Sequence, residues 1–76
     1  MQRREGYPEV HLSPRELQVL EFVSQGMPDK RIAAILGITS GTVKNYIHTA
    51  TRKLGAQNRT SSVVKAYTLG ILVFKD

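Results

Sequence analysis

Ile32-Ala33-Ala34-Ile35-Leu36-Gly37-Ile38-Thr39-Ser40-Gly41-Thr42-Val43 is the stretch on which the fold turns. Its first five residues carry apolar side chains at helical spacing, and the small Ala33 lets another helix approach closely. Gly37 tolerates a left-handed backbone that other residues adopt only at a cost, so the helix stops there. Thr39 has a hydroxyl able to cap the amides of a new helix, and Ile38 and Val43 can lock the crossing from inside. Two helices meeting across a tight turn in this way form a helix-turn-helix.

Working outward, the helix that begins at Thr39 carries Val43, Ile47, Ala50 and Leu54 at i, i+4, i+7 and i+11, one apolar stripe at a 3.6-residue period. Gly55 closes it. Upstream, Pro28 and Asp29 open the short second helix, with Ile32, Ala33, Ile35 and Leu36 as its apolar positions. The first helix is announced by Ser13-Pro14-Arg15-Glu16, a cap, a proline at the first helical position and a glutamate placed to complete a capping box. Leu17, Leu20 and Val23 line one of its sides, with Val19 and Phe22 flanking, and Gly26 stops it. A fourth helix is capped by Thr60 or Asn58, carries Val63, Val64, Ala66, Tyr67 and Leu69, and ends at Gly70. Residues 71–74 form an apolar tail expected to pack onto the helices, because a lone strand has nothing to pair with. Residues 1–11, with mixed charges, Gly6 and Pro8, read as a flexible arm or linker, and residues 12–76 as one domain. The expected fold is all-α, a four-helix bundle with a central helix-turn-helix.

A chain of 76 residues has room for one core and none for a large enzyme pocket. It contains no cysteine and two histidines, His11 and His48, so a metal site is not expected, nor is any cofactor. Ser13 and Thr60 read as caps, and no nucleophile, base and orienting acid converge, so the chain is not read as an enzyme. With no spanning segment and no signal peptide in the sequence, a soluble, cytoplasmic protein without membrane partners is expected.

The net charge of +5 is unevenly spread. Residues 1–29 hold Arg3, Arg4 and Arg15 against Glu5, Glu9, Glu16, Glu21 and Asp29. Residues 30–75 hold Lys30, Arg31, Lys44, Arg52, Lys53, Arg59, Lys65 and Lys75 with no acid among them. A field so polarised attracts a polyanion, of which nucleic acid is the commonest. Opposite its apolar stripe, the third helix presents Gly41, Lys44, Asn45, His48, Thr49 and Arg52. Lys can contact guanine acceptors and Asn can pair with adenine, and both lie near the helix N-terminus, where groove-reading helices reach base edges.

Four stretches together, LSPRELQVLEFVSQG (12–26), KRIAAILGIT (30–39), TVKNYIHTATRKLG (42–55) and NRTSSVVKAYTLGIL (58–72), resemble the LuxR/GerE-type DNA-binding domain of bacterial transcription regulators. The resemblance implies a sequence-specific binder of double-stranded promoter DNA, with the third helix in the major groove and Lys44, Asn45 and His48 as base readers. It implies backbone contacts from Lys30, Thr39, Ser40, Thr42 and Lys53, joined by Thr49 and Arg52 on the same helix. Tyr46 stands where the family often has His, which leaves a phosphate contact through its hydroxyl. The family's last helix commonly forms a two-fold dimer, which points to Val64, Tyr67 and Thr68 as an interface; the alternative is that Val64 and Tyr67 finish the domain's own core. Similar domains stand alone or as effector domains behind a receiver or ligand-binding domain. Two other functions fit the fold: a promoter-recognition module like the fourth region of a sigma factor, which works with RNA polymerase, and a protein-interaction domain.

Overall fold

The structure, a computed structural model, describes residues 10–74. Most of the expected arm, including Arg3 and Arg4, lies outside the described residues. Four helices follow one another: α1 (Pro14–Ser24), α2 (Asp29–Leu36), α3 (Ser40–Lys53) and α4 (Arg59–Thr68). There is no strand among the described residues, and none of the helices is long and apolar enough to cross a membrane.

The helix starts follow from local chemistry. Ser13 Oγ accepts from the Glu16 amide at 3.1 Å, and the Glu16 carboxylate accepts from the Ser13 amide at 2.9 Å, so the capping box of α1 is closed. Of the two candidate caps for α4, Asn58 is the one used. Its side-chain oxygen accepts from the Ser61 amide at 2.8 Å, and Ser61 Oγ returns the favour to the Asn58 amide at 3.1 Å. Between α2 and α3, Gly37 has φ +69°, and the Ile38 amide reaches back to the Ala33 carbonyl at 3.0 Å. This left-handed residue turns the chain into the helix-turn-helix.

Two apolar clusters hold the bundle. Val19, Ile32, Ala33, Val43 and Ile47 form the first, beneath the helix-turn-helix, with Phe22, Val23, Leu36, Ile38 and Tyr46 packed around them. Leu20, Leu54, Ala66 and Leu72 form the second, beneath α4, with Val10, Leu12, Leu17, Val63 and Ile71 around them. The stripe expected on α3 is buried at all four positions. On α1 the centre of the buried face is displaced from the expected one. Val19 and Leu20 are wholly buried and Leu17 and Val23 half-buried, because α1 serves both clusters and these two adjacent residues point into one each.

Two expectations, for Ile35 and for the tail, need correction, and one alternative, for Val64 and Tyr67, falls away. Ile35 is exposed, on the flank of α2, where no other helix covers it. Val64 and Tyr67 do not complete the domain's core: they are exposed on the outer side of α4. The tail splits. The amides of Ile71 and Leu72 both donate to the Ala66 carbonyl, at 2.8 and 3.1 Å, which draws Leu72 into the core, whereas Val73 and Phe74 project outward.

Candidate nucleic-acid interface

At about 100° per residue, a helix buried along one stripe must present its other residues to solvent on the far side. On α3 that side carries Gly41, Lys44, Asn45, His48 and Arg52, all exposed, as the sequence pattern required. Thr49, expected on that side as well, is instead half-buried along one flank with Thr42. Tyr46 is also half-buried, its ring packed on the first cluster, so whatever its hydroxyl does, the ring first serves the core.

The start of α3 is built for order. Thr39 Oγ1 accepts from the Thr42 amide at 3.1 Å and lies 2.9 Å from Thr42 Oγ1, with Ser40 and Gly41 between them. The pair closes the first turn, where Thr39 and Gly41 are exposed, as are Lys44 and Asn45 just after them. Lys30 and Arg31 are exposed at the start of α2.

Among the described residues, two ion pairs redistribute the charge that the sequence lays out. The ammonium of Lys53 donates to Glu16 Oε1 at 2.8 Å, and Glu16 is nearly buried, its side chain 9% exposed against 40% for Lys53. The guanidinium of Arg59 grips both oxygens of Asp29, at 2.7 and 3.1 Å. Burial alone raises the Glu16 carboxyl, but the hydrogen bonds from Lys53 and Ser13 together outweigh it and leave the group below its ordinary range. The Arg59 bond holds Asp29 below its ordinary range against the opposing effect of burial, with a smaller pull from the nearby Lys44; the same bond raises Arg59. Among the described residues, Lys53 and Arg59 are therefore engaged by carboxylates. Lys53, expected at a phosphate, spends part of its charge on α1. This was not legible beforehand, because the partners are 37 and 30 residues apart in the chain.

Lys44, Asn45 and His48 thus share one exposed, cationic helix face, joined there by Arg52. Val64, Tyr67 and Thr68 share the outer side of α4. Beside them is a shallow depression lined by Asn58, Thr60, Ser61, Val64, Lys65 and Thr68.

This combination of a glycine-turned helix pair, an outward polar helix and an acid-free basic half defines a helix-turn-helix domain. Residues 10–66 match the family of bacterial regulatory proteins described as the luxR family, whose profile is named GerE. The chain belongs to that family, and it is a helix-turn-helix domain of the kind found in DNA-binding transcription regulators. It is 48% identical over 61 residues to the quorum sensing-dependent transcriptional regulator RpaR of Rhodopseudomonas palustris, covering 80% of this chain and 25% of that protein. It is 51% identical over 55 residues to the response regulator RamR of Streptomyces coelicolor, covering 72% of this chain and 27% of the other. The chain therefore spans about a quarter of the length of these two curated relatives. Among solved structures it is similar to the transcription factor GerE, with a TM-score of 0.78 and 29% identity, covering 82% of this chain and 92% of that one.

Proposed function

We propose that the domain grips promoter DNA by laying the outer face of α3 in the major groove, where Lys44, Asn45 and His48 read base edges. The observation that carries this is the exposure of those three side chains together on a helix anchored from behind by four buried residues. A groove-reading helix needs rigid backing, because base contacts tolerate little displacement. Lys30, Thr39, Ser40, Thr42, Thr49 and Arg52 lie around that face and serve as backbone contacts, with Tyr46 and the partly engaged Lys53 at its margin. The face needs no cofactor or metal for this work.

The domain acts in pairs, through Val64, Tyr67 and Thr68 of α4. An apolar valine and tyrosine left outside the core support this, because a solvent-facing helix side is ordinarily polar. Its place is the cytoplasm, where the promoters are, and RNA polymerase is the machinery it regulates.

A salt titration on duplex DNA tests the central reading. The logarithm of affinity should fall linearly with the logarithm of salt concentration, by about 0.9 for each phosphate neutralised. Arg52→Ala should reduce that slope by about one on every sequence, whereas Asn45→Ala should weaken binding at one base position. Affinity indifferent to salt would sink the reading.

A further inference from the structure

We propose that His48 meets DNA as an imidazolium, against an edge that offers only acceptors, so that the domain takes up a proton on binding and holds DNA more tightly as pH falls. This rests on α3 being the DNA-facing helix.

His48 is exposed on the outer face of α3, one turn after Lys44 and one turn before Arg52, both exposed. No acidic residue occurs in α3. The elements packed against it offer little more. From α1 come Arg15, Glu16 and Glu21; Glu16 is tied to Lys53, and Glu21 lines a depression with Tyr67 and Phe74. From α2 come Asp29, Lys30 and Arg31, and Asp29 is gripped by Arg59 with Lys44 nearby. From α4 come Arg59 and Lys65. Among the described residues, Glu16 and Asp29 already hold cations and Glu21 lies in the depression with Tyr67 and Phe74, so the anion that would accompany a charged His48 has to come from the ligand.

Duplex DNA supplies one. A neutral imidazole has one donor and one acceptor, whereas the imidazolium has two donors and no acceptor. Guanine presents only the acceptors N7 and O6 in the major groove, and a phosphate presents only oxygens. The charged form matches both, and histidine is the side chain whose charge ordinarily changes between about pH 5 and 8. The two ion-paired carboxylates titrate below that range, since both are lowered from ordinary values of 4.5 and 3.8.

The test measures binding of the 76-residue chain to a G·C-only and an A·T-only duplex at one ionic strength and a series of pH values. From about pH 8 to about pH 6, affinity is expected to rise about tenfold, the effect of a contact that distinguishes the two protonation states by one pK unit. His48→Gln, exposed and without consequence for the core, should flatten the profile. His48→Arg should bind at the higher pH about as tightly as the unaltered chain does at the lower, and His11→Gln should keep the original slope. Proton linkage on the G·C duplex alone assigns the contact to guanine, and linkage on both assigns it to an acceptor present in both duplexes, a phosphate oxygen or a base acceptor such as purine N7. If the His48→Gln profile parallels that of the unaltered chain, the inference is overturned. Binding without pH dependence removes this inference alone, whereas absence of binding at every pH removes the α3 reading with it.

Discussion

The outer faces of α3 and α4 are built on the same plan and end in opposite chemistry. Each helix is capped by a side chain, Thr39 or Asn58, and each rests on one of the two core clusters. Yet α3 shows solvent two cations, an amide and an imidazole, while α4 shows it a valine that is 60% exposed and a tyrosine. A polar, cationic face is stable in water alone and gains by meeting a polyanion. An apolar face gains by being covered. The difference teaches that one bundle carries two surfaces of unlike chemistry, the first the one we propose for DNA and the second the one we propose for a second copy of the chain.

The scaffold common to both faces is the largest lever on this contrast. Ile47→Ala, beneath α3, and Leu20→Ala, in the cluster beneath α4, should each cost about 2 to 5 kcal/mol. For a domain this small, that is much of its stability. Urea unfolding should show a single transition in both variants, since α1 packs on both clusters. Two separated transitions would mean that the faces are held by independent units.

Next come substitutions confined to one face. Asn45→Ala should lose about 1 to 3 kcal/mol of DNA binding at one base position and leave self-association unchanged. Val64→Asp should weaken self-association, as measured by analytical ultracentrifugation, by about 1.5 to 3 kcal/mol, the ordinary worth of burying such a side chain. If Val64→Asp leaves the oligomeric state alone, the apolar half of the comparison fails.

The caps separate the two tasks at smaller cost. Asn58→Ala should lower stability by about 0.5 to 2 kcal/mol, read as a reduced melting temperature, with little direct effect on DNA contacts. Thr39→Ala should cost a similar amount and also weaken DNA binding, because that cap sits at the edge of the surface we propose for the groove.

The smallest effect concerns the two ion pairs, whose cationic ends are about two-fifths exposed. Each should contribute about 0.2 to 1 kcal/mol. Because Glu16 and Asp29 are both lowered on folding, their contribution is complete above the ordinary values of 4.5 and 3.8 and is lost as pH falls through the folded ones. Asp29→Asn should flatten that acid limb in urea midpoints measured across pH, and an unchanged limb would show that the pair does not stabilise the fold.

Much of this was legible in the sequence because it is local. The capping box at Ser13 and Glu16, the left-handed Gly37 and the outward run of Lys44, Asn45, His48 and Arg52 are set by neighbours within four residues. Less legible was the choice between Asn58 and Thr60 as cap, since both have the required oxygen. The partition of the apolar residues on α4 could not be read either. Val63, Val64, Ala66 and Tyr67 look alike to a periodicity argument, and which of them face inward depends on where α1 and the tail lie. Ser62, which no hydrophobic pattern would select, is wholly buried because its hydroxyl donates to the Arg59 carbonyl at 2.8 Å and accepts from Thr51 at 3.3 Å. The first bond is local and the second spans α3 and α4, so burial costs the hydroxyl little.

By itself, then, the sequence determined that this chain is a helix-turn-helix domain with a polar, basic third helix, since caps, glycines and a 3.6-residue stripe act over a single turn. Tertiary structure alone decided which cations stay available and which apolar residues stay uncovered. Lys53 and Arg59 are drawn to carboxylates far away in the chain, and Val64, Tyr67 and Phe74 are left outside because the second cluster is filled without them. Both outcomes depend on packing between distant segments, which no local rule can specify.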